Sequence, residues 1–318
     1  MNQQILTSLQ IGAVFRDSDH SCVGVSFSRN GSSLGVGFED GTVQVINSET
    51  AEVTRTHRSH KYGLSHFSFL NQDKNGSLAV ATASPAIVED HSVRVWDLVQ
   101  NRFSRVFKCH ESSITNISAH PSKDILLSTS NDGMICMWDL RDERPVWQCR
   151  EAKGSISTFD KAESSETATF AVTFPATKAI GIFESRKPQT LIKEIKCVSS
   201  SVDELVFTPD RERILVASRE LGLVSTVNLD KEVVESTYFS PPTKTSYHLS
   251  VSPCSKYAMT SNPSSFAIDI WDLKTRVKVR ALFGHESSSI AAFSPKHAMI
   301  ATASLPVALW VPLNHRLP

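Results

Sequence analysis

A chain of 318 residues, 40% hydrophobic and 21% charged, has the composition of an ordinary globular protein, with length for one large domain or two smaller ones. Its 33 Lys and Arg balance 33 Asp and Glu, which argues against gripping duplex nucleic acid through a basic surface. No secretory pattern opens the chain and no stretch approaches the ~18 apolar residues of a membrane span, so neither secretion nor a membrane is expected. The first candidate element is a short segment at 3–16, whose partner only becomes evident at the far end of the chain. Val23–Phe27, a turn at Arg29-Asn30-Gly31 and Leu34–Phe38 follow as two strands joined by an Asn-Gly hairpin. A third strand, Thr42–Asn47, completes the outline of a unit that then recurs.

Ser92–Leu98, Met134–Leu140 and Ala267–Leu273 each end in Trp-Asp-Leu, and Ala179–Glu184, Gly222–Asn228 and Pro306–Trp310 are weaker copies. The bulky marker falls at Ile46, Trp96, Trp138, Phe183, Val227, Trp271 and Trp310, in steps of 39 to 50 residues. That bracket suits a four-stranded propeller blade of roughly 40–45 residues. Seven markers mean seven blades. The strands are apolar on both sides of the alternation (Val93, Val95, Trp96, Leu98), as burial between neighbouring blades requires, and no sustained helical period appears. The expected fold is therefore all-β, a seven-bladed WD40 β-propeller filling 1–318. Blades are placed at about 18–52, 60–106, 110–150, 154–194, 202–238, 246–283 and 285–312, with 3–16 as the outer strand closing the last one. Closure removes the unpaired edges an open ring would present.

Several residues look chemical. His110, Ser128, Asp132 and Trp138 are expected to form the hydrogen-bonded tetrad of blade three: His110 bonds Ser128, Asp132 orients His110, and Trp138 receives the serine hydroxyl. Such a set resembles a hydrolytic triad, but no G-x-S-x-G elbow accompanies it, and a buried blade network needs this satisfaction anyway. Blade seven keeps His285, Thr302 and Trp310 but has Leu305-Pro306 where Asp-Gly would stand. His57, His60 and His66 form the closest histidine cluster and read as solvated loop residues rather than metal ligands. Six cysteines, with no C-x-x-C pair, read as reduced thiols, and Gly35-Val36-Gly37 lacks the third glycine and helix of a dinucleotide site. No catalytic residue, cofactor or metal is assigned. The densest cationic stretch, Arg55, His57, Arg58, His60, Lys61 and Tyr62, is read as an exposed loop suited to a phosphorylated or acidic peptide. Arg102-Phe103-Ser104-Arg105-Val106-Phe107 reads instead as an outer strand with its Phe face packed.

Three stretches carry a family resemblance: Ser59-His60-Lys61-Tyr62-Gly63; Asp124 to Met137-Trp138-Asp139-Leu140-Arg141; and Phe293–His297 through Ala301–Ser304 to Ala308–Pro312. In these the chain resembles the WD-repeat subunit of COMPASS-type histone methyltransferases, called WD repeat protein eighty-two in animals and Swd-two in fungi. It is a divergent member: Ser155–Phe174 keeps only Phe159-Asp160 of one family hairpin, and Pro85–Glu89 is additional. The resemblance implies a non-catalytic nuclear scaffold that docks a peptide segment of a large partner. That partner would be a methyltransferase, the PNUTS scaffold of a protein phosphatase 1 complex, or machinery of transcription termination and RNA 3′-processing. It also implies a link to the phosphorylated C-terminal tail of RNA polymerase II, with no sequence-specific nucleic-acid binding. Two other readings stand beside it. Trp138-Asp139-Leu140-Arg141 resembles the box of substrate receptors for cullin-RING ubiquitin ligases, and a propeller enzyme would need carboxylates or histidines converging at the inner strand ends.

Overall fold

The computed structural model describes residues 3–16, 20–59, 61–70, 78–85, 89–151, 155–160, 168–196, 202–218, 221–239, 248–262, 264–287 and 289–313. They form seven four-stranded antiparallel sheets, and the innermost strands neighbour one another around a closed ring. The protein is a seven-bladed β-propeller. Second and third strands are buried on both faces, as in Ile125–Ser130 and Met134–Asp139, whereas outer strands such as Pro145–Arg150 alternate between packed and exposed. Position in the ring explains the difference: the middle of each sheet is covered by a blade on either side, the rim only in part.

The recurrent bulky-plus-Asp signature has a local physical cause. In each of the first six blades the third and fourth strands slip register at the marker, between Val45 and Ile46, Val95 and Trp96, Met137 and Trp138, around Phe183, between Thr226 and Val227, and between Ile270 and Trp271. A bulge there increases twist and swings the outer strand over the next blade. The acidic or amide residue after the marker then caps the turn. Asp97 Oδ1 accepts the Val99 and Gln100 amides, and Asp272 Oδ1 those of Lys274 and Thr275, all within 2.9 Å. Asn47 and Asn228 do the same where Asp is absent.

Blade one runs over Cys22–Phe27, Ser33–Phe38, Thr42–Asn47 and Glu52–Arg58. Its outer strand continues through Arg58 instead of stopping near 52, because it pairs with the third strand along its whole length, from Glu52 opposite Asn47 to Arg58 opposite Thr42. Gly35 and Gly37 have a packing role. A Cβ on Gly35 would stand 2.4 Å from the Phe69 ring and one on Gly37 3.1 Å from that of Phe67, so these glycines admit two aromatic rings from blade two.

The last sheet runs Ile290–Phe293, Ile300–Ala303, Val307–Pro312 and, as its outer strand, Leu9–Phe15. The pairing extends from Leu9 opposite Pro312 to Phe15 opposite Val307. Residues 3–7 are not part of that strand; Gln3–Thr7 is a single helical turn that buries Leu6 completely. Arg280, from the outer strand of blade six, donates to the carbonyls of Leu6, Thr7 and Leu9 at 2.9, 2.5 and 2.6 Å. A cation thus sits where the helix leaves its carbonyls without partners. No helix among the described residues is long and apolar enough to cross a membrane.

Candidate docking site

The blade-three tetrad is a closed network. His110 Nε2 lies 2.7 Å from Ser128 Oγ, and the Trp138 indole N–H donates to the same oxygen at 2.9 Å. The direction of that second bond corrects the sequence-based expectation: indole nitrogen can only donate, so tryptophan gives the proton and serine accepts it. The serine proton is then directed to His110 Nε2, and His110 Nδ1–H faces Asp132 Oδ2 at 3.4 Å. Burial works against a charge on Asp132, but the Met134 and Glu111 amides, each 2.7 Å away, more than offset it and hold its carboxyl below the usual range. Burial in turn lowers the pKa of His110, with Asp132 opposing. Ser128 and Trp138 are fully buried. The oxygen that would have to attack a substrate is occupied by two partners inside the wall between blades. His285, Thr302 and Trp310 repeat the three-membered core in blade seven at 2.7 and 2.8 Å.

The cationic stretch is divided among different tasks. Arg55, His57 and Arg58 lie on the outer strand of blade one, not on a loop. Arg55 is exposed. His57 Nε2 is 2.9 Å from the Leu98 carbonyl and its ring is tilted over Trp96, so it ties blade one to blade two. Arg58 Nε pairs with Asp40 at 3.2 Å and remains half exposed. His60 lies outside the described residues. Lys61 is exposed, 5.2 Å above the Tyr62 ring. Tyr62 itself stacks on the guanidinium of Arg94, 3.7 Å from its centroid, and meets Phe103 edge-on. Arg94 is only 2% exposed, and it donates to Ser84 Oγ at 2.8 Å and pairs with Asp90 at 2.5 Å. The aromatic of the stretch is therefore committed to covering a buried cation. What it leaves facing solvent is Arg55, Lys61 and one side of Arg58.

A set of residues on the outer strands was not apparent from the sequence. Arg105 stands opposite Val95, Lys193 opposite Ile182 and Arg280 opposite Ile270, each beside the residue just before the marker. All three reach forward to backbone carbonyls of the next blade: Arg105 to Leu140 at 3.0 Å, Lys193 to Leu229 at 2.7 Å, and Arg280 to the closing segment. The same position in blade three is Trp147, which packs on Phe170 and Phe183 of blade four. Superposing the outer strands on the marker would have exposed the pattern. In Arg102–Phe107 the Phe residues do pack, Phe103 on Trp96 and Phe107 on Trp138, but Arg105 is engaged as well.

The central channel, about 1050 Å³, is walled by the innermost strands. His66, Glu204 and His248 face it; His248 Nδ1 is 3.8 Å from Glu204, which also accepts the Leu249 amide at 2.6 Å. Among the described residues no group of three or more His, Cys, Asp or Glu gathers as a metal site. His120, at one mouth, is 2% exposed, and its Nδ1 accepts the Ser122 and Lys123 amides at 3.0 Å, the turn-capping task that Ser28, Thr208, Ser252 and Ser294 perform elsewhere. Burial, with repulsion from Lys123 and Arg29, pushes its pKa from 6.5 down to about 4. Between those values the unfolded chain binds a proton that the folded chain refuses, so the contribution is complete above pH 6.5 and lost as pH falls toward 4. His120→Ser, which keeps a turn cap, is expected to be less stable than the parent at pH 7 and to recover about 1–2 kcal/mol of that difference by pH 5 in urea unfolding. A gap that does not change with pH would contradict this.

The family described as WD domain, G-beta repeat matches residues 101–139, the end of blade two and most of blade three. WD repeat-containing protein 82 of Drosophila melanogaster is 24% identical over 98% of this chain and 96% of its own length. The Set1 complex component swd2 of Schizosaccharomyces pombe is 32% identical over 43% of this chain and 36% of its own. The COMPASS component SWD2 of Saccharomyces cerevisiae is 22% identical over 64% and 61%, respectively.

Proposed function

From its standing as a divergent relative of WD repeat-containing protein 82 and Swd2, we propose that this propeller is a non-catalytic scaffold subunit of a nuclear chromatin complex. The observation that carries the reading is the end-to-end alignment with the fly protein, 98% of one chain on 96% of the other. Two further relatives are, by name, components of a Set1 complex and of COMPASS. Docking over catalysis is supported by the triad-like His110, Ser128 and Asp132, which are consumed inside a blade wall. A stiff ring also loses little conformational entropy on capturing a flexible peptide. The partner is a peptide segment of a methyltransferase or of a PNUTS–protein phosphatase 1 assembly acting in transcription termination and RNA 3′-processing. Affinity purification of the tagged protein from nuclear extract, followed by mass spectrometry, tests this. Recovery of a methyltransferase or phosphatase scaffold in stoichiometric amount supports it, and recovery of a cullin adaptor instead would replace it.

Arg55 and Lys61, with the open side of Arg58, form the cationic edge offered to a phosphorylated RNA polymerase II tail. These are exposed groups, so each charge contributes modestly. Lys61→Glu replaces attraction by repulsion and is expected to weaken binding of a phosphorylated tail peptide by roughly tenfold, without effect on the unphosphorylated one. Equal affinity of parent and variant in fluorescence anisotropy would rule out this edge as the phosphate contact.

A further inference from the structure

Two thiols from different blades meet inside the rim. Cys109 follows the outer strand of blade two, Cys136 lies in the third strand of blade three, and their sulfurs are 3.3 Å apart across 27 positions of sequence. Both are free cysteines. Gln148, paired with Cys136 across the sheet, places its Oε1 3.7 Å from Cys109 Sγ, so blade three holds the blade-two sulfur over its own. The other described cysteines keep different company: Cys22 the Gly24 carbonyl, Cys149 the Glu151 carboxylate and Cys254 the Ser252 hydroxyl. Access is unequal. Cys136 is completely buried, while Cys109 is half-buried, so a small reagent reaches one sulfur directly and the second only through the first.

We propose that Cys109 and Cys136 form a dithiol site that hydroperoxides oxidise to a disulfide between blades two and three. The Cys109 thiolate attacks a peroxide oxygen; the O–O bond breaks, hydroxide leaves, and Cys109 becomes a sulfenic acid. Cys136 sulfur then attacks Cys109 sulfur, the S–O bond breaks, and the departing hydroxide takes the Cys136 proton as water. In sum, two thiols and one hydrogen peroxide give one disulfide and two waters, the sulfurs oxidised and the peroxide reduced. Burial raises the pKa of Cys136 far above the ordinary thiol value, which keeps it inert until the sulfenic acid forms beside it. The sulfurs must close from 3.3 Å to about 2.05 Å, and the half-buried Cys109 is the side free to rotate. The bond would tether the residue before His110 to the strand carrying Trp138, fixing the entry to blade three from both sides.

The test uses the full chain. Reduced protein is treated with hydrogen peroxide, quenched by alkylation, digested without reductant and read by mass spectrometry. A Cys109–Cys136 cross-linked peptide as the main product, with a melting temperature raised by several degrees and restored by dithiothreitol, is the expected result. Cys109→Ser, near-isosteric at the half-buried position, should abolish the cross-link and leave Cys136 resistant to both peroxide and alkylation in the native state. Cys109 recovered as sulfinic acid while Cys136 remains a free thiol would overturn the proposal, as would a disulfide joining Cys109 to any other cysteine.

Discussion

A chain lacking residues 1–16 is expected to fail to fold cooperatively, losing its thermal transition in circular dichroism and eluting as aggregate. The deletion removes Leu6 and Leu9, which are 0% and 2% exposed; losses of this kind cost about 2–5 kcal/mol each. It also removes the outer strand paired along Val307–Pro312 and the three carbonyls that hold the Arg280 guanidinium. Together these approach the ~5–15 kcal/mol that is the whole net stability of a typical domain. What is left is an open strand edge bearing the now uncovered side of the last blade, a template for pairing between chains. Arg280→Met isolates one part of this. It keeps the apolar stem, removes the donors, and should cost about 3 kcal/mol, the range for hydrogen bonds made by a charged group. A variant melting like the parent would show that strand pairing alone closes the ring.

Trp138→Ala should cost about 4–6 kcal/mol. The side chain is wholly buried, stacks on Phe107 of blade two with centroids 4.7 Å apart and planes 26° apart, and donates to Ser128. Truncation opens a cavity worth about 3–5 kcal/mol, and the lost hydrogen bond to Ser128, which keeps only its bond to His110, adds roughly 1 more. Trp138→Phe separates most of the two contributions: it keeps the larger part of the stack, loses the indole donor and one ring's volume, and is expected to cost about 1–2 kcal/mol. Equilibrium unfolding in urea measures both. If the Phe variant were as damaging as the Ala variant, the hydrogen bond would outweigh the packing, and the account of the tetrad as a packed wall with one internal lock would be wrong.

Ring and blade number were legible in the sequence because two independent demands fall on adjacent residues. A large side chain must fill the bulge between strands three and four, and an Asp or Asn must cap the turn just after it, so the pair survives as a marker even where Trp is replaced by Ile46 or Val227; at Phe183 only the bulky half remains. The closing strand was legible by elimination, since the last blade lacked a partner. The cationic stretch was misjudged for a reason just as physical. Tyr62 looks exposed in sequence because the group it covers, Arg94, belongs to a strand 32 positions further on, and nothing local marks that arginine as buried. His57 and Arg105 sit on outer strands where polar residues are ordinarily solvated, and only their reach into the neighbouring blade gives them partners. Asp160 is the same case: it is fully buried and paired at 2.5 Å with Arg211 of the following blade.

Closure by the first strand also sets an order of events during synthesis. Leu9–Phe15 is synthesised before any of the blades, yet its partner Val307–Pro312 is made some 300 residues later. At 5–20 residues per second that is a wait of about 15–60 s. Blades one to six have all four of their strands by then, each made of consecutive segments, but the leading strand has nowhere to bind. The nascent protein therefore carries an unmatched apolar segment until the last blade is made, and a holding chaperone that recognises Leu6 and Leu9 would act at the one stage when both are in water.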